Sequence, residues 1–169
     1  MEKLLDEFKT AIQRENEVLD QLVSLGEEKQ RHIVLGQLKE LDGLMQREGL
    51  VVANLEKLEG TRFKLQQQIN QKWGRDDIQP ATELLSRVQT EIPAQYAGLE
   101  EQINRLAYNL SRLKVINNHN HELLEQSLGY IATLEALLEG DIAGTYSDKG
   151  QQVDEDRARP RLNLLDKRV

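Results

Sequence analysis

The chain has 169 residues, a formal net charge of −7, 4% aromatic residues and no cysteine. Disulfides and thiolate metal sites are therefore excluded. An acidic chain with few aromatic stacking platforms also argues against nucleic-acid binding. Leucine dominates the apolar residues and Glu, Gln, Lys and Arg fill much of the rest, a mix that favours long helices joined by aliphatic seams. From Gly140 onward six basic residues balance six acidic ones, so the charge excess belongs to the preceding body.

The first helix is predicted from Met1 to about Leu25. Leu4, Phe8, Ala11, Glu15, Val18, Leu22 and Leu25 alternate steps of four and three, with Leu5, Ile12 and Leu19 widening the stripe. Gly26 is the expected stop. A second helix then runs from Glu27 or Glu28 to Trp73. Its expected seam is Leu38, Leu41, Met45, Glu48, Val52, Leu55, Glu59, Arg62 and Ile69, which puts Gly36 and Gly43 on the outer face. Glu59 and Arg62, three residues apart, read as an intrahelical ion pair.

Gly74-Arg75-Asp76-Asp77 breaks that pattern, and Pro80 suits the start of a short third helix reaching about Gln89. Pro93 opens the last helix. There Tyr96, Leu99, Ile103, Leu106, Leu110, Leu113, Asn117, Asn120, Leu124, Ser127, Ile131, Leu134 and Leu138 keep heptad steps throughout, which predicts a buried left-handed seam. The fold expected is all-α: an elongated antiparallel bundle spanning 1–139, with two long helices, a shorter N-terminal helix and a short third one. Asn117 and Asn120 interrupt the aliphatic stripe as a polar layer that sets register or opens for a partner. If Trp73 and Ala94 lie level, Glu48 falls opposite this layer and is its expected partner.

The segment 140–169 changes character, with Gly140, Gly144, Gly150 and Pro160 and few apolar residues. It is expected to be a loosely attached tail that orders on binding. Leu162, Leu165 and Val169 share a helical face there.

Chemistry finds little support. There is no glycine-rich phosphate loop, and the serines lack a strand–turn–helix setting. His121 reaches only Glu125 at helical spacing, His119 only Glu122, and His32 has no companion. None of these completes a coordination sphere. No enzyme activity and no cofactor are expected. The acidic N-terminus and the short longest apolar run, Leu50 to Ala53, predict a cytoplasmic protein with no membrane insertion.

Four stretches together resemble the FlgN-type flagellar export chaperones. They are Leu38-Lys39-Glu40-Leu41 through Glu48 to Leu55-Glu56-Lys57-Leu58-Glu59-Gly60-Thr61-Arg62; Asn117-x-x-Asn120-x-x-x-Leu124-x-x-Ser127-Leu128; Thr145-Tyr146-Ser147-Asp148-Lys149-Gly150; and Leu164-Leu165-Asp166-Lys167-Arg168-Val169. The resemblance implies a cytoplasmic chaperone of type III flagellar secretion. Its implied cargo is the pair of hook–filament junction proteins, FlgK and FlgL, held by their terminal helical segments and delivered to the export gate. It implies cargo binding in the C-terminal part, where Ile142, Leu162, Leu164, Leu165 and Val169 are the candidates, and docking to the gate protein FlhA through Tyr146. The alternative is a structural coiled-coil adaptor that self-associates through its long helices.

Overall fold

The computed structural model describes residues 1–138 except 76 and 78. These form four helices: α1 (Glu2–Leu35), α2 (Leu38–Lys72), α3 (Ala81–Glu91) and α4 (Pro93–Leu138). No strand occurs among the described residues, and the helices pack on one another as an all-α bundle. The chain divides into a unit Met1–Gly129 and a second, Tyr130–Val169, of which only the final turns of α4 are described. No helix among the described residues is long and apolar enough to cross a membrane.

The first turn of the chain lies ten residues later than expected. α1 runs through Gly26 and ends at Gly36, whose φ of 65° is left-handed. The Gly36 N–H donates to Ile33 O and the Gln37 N–H to His32 O. These two bonds form a Schellman motif and satisfy carbonyls that the helix leaves open. The Gly74 N–H donates to Gln71 O and the Arg75 N–H to Asn70 O, so α2 ends by the same device. Gly26 has another use. It is buried, and a Cβ added there would sit 3.0 Å from Ile116 Cγ2 of α4. The missing side chain is what lets α4 approach the backbone of α1.

Cross-helix contacts fix direction and register. Glu15 pairs with Arg62 and Lys29 with Glu48, so α2 runs antiparallel to α1. Lys9 bonds Gln95, Asn16 bonds Gln102, Arg105 reaches Asp20 and Asn120 bonds the Gly26 carbonyl. Both numbers rise together, so α4 runs parallel to α1. At one end Leu4, Leu5, Phe8 and Ile12 of α1 meet Ile69 of α2, Leu84 and Val88 of α3 and Leu99 of α4 in one apolar cluster. Asp77 and Gln79 are held against α2, where Asn70 Nδ2 donates to Asp77 O and Gln66 Nε2 to Gln79 O.

Trp73, the chain's single tryptophan, donates through Nε1 to Glu91 at 2.8 Å, and the Arg87 guanidinium lies 4.8 Å from its ring centre. Arg87, bonded to the same carboxylate, holds Glu91 below the ordinary glutamate range; the Trp73 bond adds to this, and partial desolvation opposes it. A depressed carboxylate keeps its interactions as pH falls and releases them only below its own pKa. The indole emission is therefore expected to step at a pH below ~4.3, the ordinary glutamate value. Glu91→Gln should abolish the step. A step at or above the ordinary value in the unsubstituted protein would contradict this assignment.

Candidate helix-binding surface

The expected seams of α2 and α4 are covered only in part. On α2, Leu44 is fully buried, whereas Leu38, Met45 and Val52 are exposed. On α4 the expected stripe is covered up to Leu106, and the interior line then continues through Asn109, Leu113, Ile116, Asn120 and Leu123. Leu110, Leu124 and Leu128 face outward, as does Asn117. The cause is Asn109, which is buried because its Nδ2 donates to Asn16 O and Asn16 Oδ1 of α1. That pairing turns Leu110 out by one residue, ~100° around the helix.

These exposed residues form two stripes. Leu50 and Val51 of α2 border an open cleft with Asp20, Ser24 and Leu25 of α1. Tyr108, Arg112 and Val115 of α4 border another with Val23 and Glu27. At ~100° per residue, Leu38, Met45, Val52 and Phe63 fall on the flank of α2 opposite its α1-facing cleft. Leu110, Leu124 and Leu128 do the same on α4. The α1 contacts set the level: Lys29 meets Glu48, while Gly26 meets Ile116 and Asn120. Met45 and Val52 thus stand near the level of Leu113 to Leu124. Anchors spaced in this way fit one face of an amphipathic helix. Within the second unit, Tyr130, Ile131, Leu134 and Leu137 of α4 are exposed as well.

Polar groups sit inside the bundle. Glu15 accepts two bonds from Arg62 Nε at 2.9 and 3.0 Å, and its side chain is 3% exposed. Burial pushes its carboxyl above the ordinary value, and Arg62 pulls it part of the way back. Arg62 also approaches Glu59 at 3.8 Å, the expected intrahelical pair, though its buried partner is on the other helix. Asn120 donates to Gly26 O at 2.8 Å, while its own Oδ1 is buried without a partner.

The residues expected to form the polar layer do not meet. Asn120 is buried, but Asn117 points to solvent. Glu48 pairs with Lys29 of α1 instead, because α1 extends past Gly26 and puts a lysine opposite it. His32 does have companions: Gln37 at 2.7 Å and Glu28 one turn earlier at 3.5 Å. His121 lies 3.2 Å from Glu125 as its spacing suggested, whereas His119 contacts Gln30 of α1 rather than Glu122. Ile142, Tyr146, Leu162, Leu164, Leu165 and Val169 lie outside the described residues. Sequence reasoning missed the Glu15–Arg62 pair and the Asn16–Asn109 contact. Two opposite charges at seam positions of neighbouring antiparallel helices were the available signal for the first.

The family model for the FlgN protein matches residues 1–154. No curated protein and no solved structure matches the chain.

Proposed function

The chain belongs to the FlgN family, and from that premise we propose that it is a cytoplasmic flagellar export chaperone that works by binding, with no chemistry of its own. The family match supports the chaperone role. The finer reading is that it holds the terminal helical segments of the junction proteins FlgK and FlgL, prevents their premature assembly and presents them to the gate protein FlhA. Cargo ends that form amphipathic helices need an apolar surface before assembly. The observation that carries this reading is the pair of exposed stripes: Leu38, Met45 and Val52 on α2, with Leu110, Leu124 and Leu128 on α4. Apolar side chains aligned along one flank of a helix over several turns mark an interaction surface more often than scattered exposed leucines do. The tail complements the surface, with Ile142, Leu162, Leu164, Leu165 and Val169 as further cargo contacts and Tyr146 as the contact to FlhA.

Titration calorimetry with purified FlgK and FlgL terminal segments tests this. Leu110→Ser with Leu124→Ser removes surface side chains and should leave the circular dichroism unchanged. Binding should weaken at least ~10-fold, about 1.4 kcal/mol. Deleting 140–169 should leave the bundle folded but abolish cargo binding. Tyr146→Ala should keep cargo binding and weaken FlhA docking. Undiminished binding by both the double-serine and the truncated chain would remove the cargo assignment.

The same stripes favour one other reading, a coiled-coil adaptor in which a second copy covers them. Light scattering at low concentration separates the two. A monomer supports the chaperone, and an obligate dimer that loses association on Leu110→Ser/Leu124→Ser supports the adaptor.

A further inference from the structure

We propose that the part of α4 from Asn109 to Gly129 is a hinged arm, which opens from α1 while the α1–α2 hairpin and the apolar cluster around Leu5 stay folded. The two interfaces of α1 differ in kind. Towards α2, beside the exposed pair Glu28–Arg47, α1 is clamped by two ion pairs with covered members: Glu15 with Arg62, and Lys29 with Glu48. Towards the arm, the ion pairs among the described residues are Arg112–Asp20 and Arg112–Glu27, every member more than a third exposed, and Arg105–Asp20 just before the hinge is as exposed. Exposed pairs of that kind contribute little and are screened by salt.

The interior of the α1–α4 contact holds neutral amides in place of a covered ion pair. Asn16 and Asn109 face each other within it, and Asn120 is 3% exposed with Oδ1 unpartnered. A buried carbonyl oxygen without a donor opposes closure and is relieved when water reaches it. At Gly26 there is no side chain to interlock with Ile116, so the contact there is backbone against side chain. Below this stretch the character reverses. Leu99 is fully buried in the apolar cluster, and Tyr96, Ile103 and Leu106 pack against it. That end of α4 stays anchored, and the hinge falls between Leu106 and Asn109. Opening would bare Ile116 of α4 and Val23 of α1, which border the same cleft. It would thereby widen the apolar surface offered to a helix. The arm deepens the chaperone reading but is a property of the free protein, so its test needs no cargo.

Native-state hydrogen exchange on the full chain supplies the test. Amides from Asn109 to Gly129 should exchange at least ~100-fold faster than those from Leu4 to Leu22, with rates that rise together in dilute urea, the signature of one cooperative opening. A chain carrying Gly26→Cys and Ile116→Cys provides a lock. The Gly26 Cβ position lies 3.8 Å from Ile116 Cβ, the usual separation across a disulfide, and the chain has no other cysteine. Oxidation should slow exchange at Asn109 to Ile116 by at least tenfold, and reduction should restore it. Asn120→Leu is an independent variant that deletes the unpartnered oxygen and should slow the whole stretch several-fold. Exchange at the same rate as Leu4 to Leu22 would overturn the proposal. So would a urea-independent gradient rising toward Gly129, which is end fraying, or no slowing in Asn120→Leu. Cargo added to the reduced and oxidised forms tests the chaperone reading separately. Absence of binding to the reduced form would refute that reading and leave the exchange result standing.

Discussion

Arg62→Ala should destabilise the bundle by about 3–5 kcal/mol, the usual effect of breaking a buried ion pair from one side. Glu15 is 3% exposed and takes two hydrogen bonds from Arg62 Nε, at 2.9 and 3.0 Å. Without the guanidinium, its charge is left in a site that burial already makes unfavourable. The pH dependence follows. The folded-state pKa of Glu15 is raised, by burial first, with Arg62 pulling it down. A raised carboxylate means the folded chain binds its proton more readily than the unfolded chain does. Stability therefore falls as pH rises through the window between the ordinary value and the folded one. Removing Arg62 widens that window upward, so the loss in Arg62→Ala should be smaller at pH 5 than at pH 7. Urea titrations at the two pH values measure it. Replacing both partners, Glu15→Leu with Arg62→Met, should recover most of the lost stability, because no charge remains buried. A loss in the double variant as large as in Arg62→Ala would show that Arg62 acts through packing of its stem. A pH-independent loss would show that Glu15 is not the group left uncompensated.

That pair also marks where the sequence ceases to be readable. Glu15 and Arg62 each fall on a seam by periodicity, yet nothing local pairs residues 47 apart, whereas Glu59 lies one turn from Arg62. The helix ends show the same division. Trp73–Gly74 is legible because polar residues and then Pro80 follow at once. Gly26 and Gly36 look alike locally, and only the continuation of the period from Leu22 through Gly26 to Ile33 separates them. That continuation fits an α1 that buries Gly26 and Ile33 and turns at Gly36. On α4, hydrophobic spacing selects Leu110, whereas the fold buries Asn109, since hydrogen bonds to Asn16 compensate an amide that periodicity counts as polar. The candidate surface is therefore present in the sequence as a stripe, and periodicity alone places that stripe in the interior. On α4 its exposure follows from the Asn109–Asn16 pairing with α1.

Leu5→Ala should cost about 2–5 kcal/mol, the range for truncating a fully buried leucine, while Leu38→Ala should stay within ~0.5 kcal/mol. The substitution is chemically the same in a helix of the same bundle. Leu5 is 1% exposed in the cluster with Phe8, Ile69, Leu84 and Leu99, whereas Leu38 is 76% exposed at the start of α2. The cluster joins all four helices, so a cavity at Leu5 weakens the docking of α3 together with the anchored end of α4. The short α3 has 11 residues and is too brief to persist alone. The Trp73 emission should therefore change along with the loss of helicity, because Trp73 is held to α3 through Glu91 and Arg87. Chemical denaturation followed by circular dichroism and by Trp73 fluorescence measures both. Coincident transitions shifted by Leu5→Ala and unmoved by Leu38→Ala are expected. Comparable losses at the two sites would place the core elsewhere. A shifted fluorescence transition with unshifted helicity would instead mean that α3 docks independently of the long helices. The cluster would then not be the fixed end against which the rest of α4 can move.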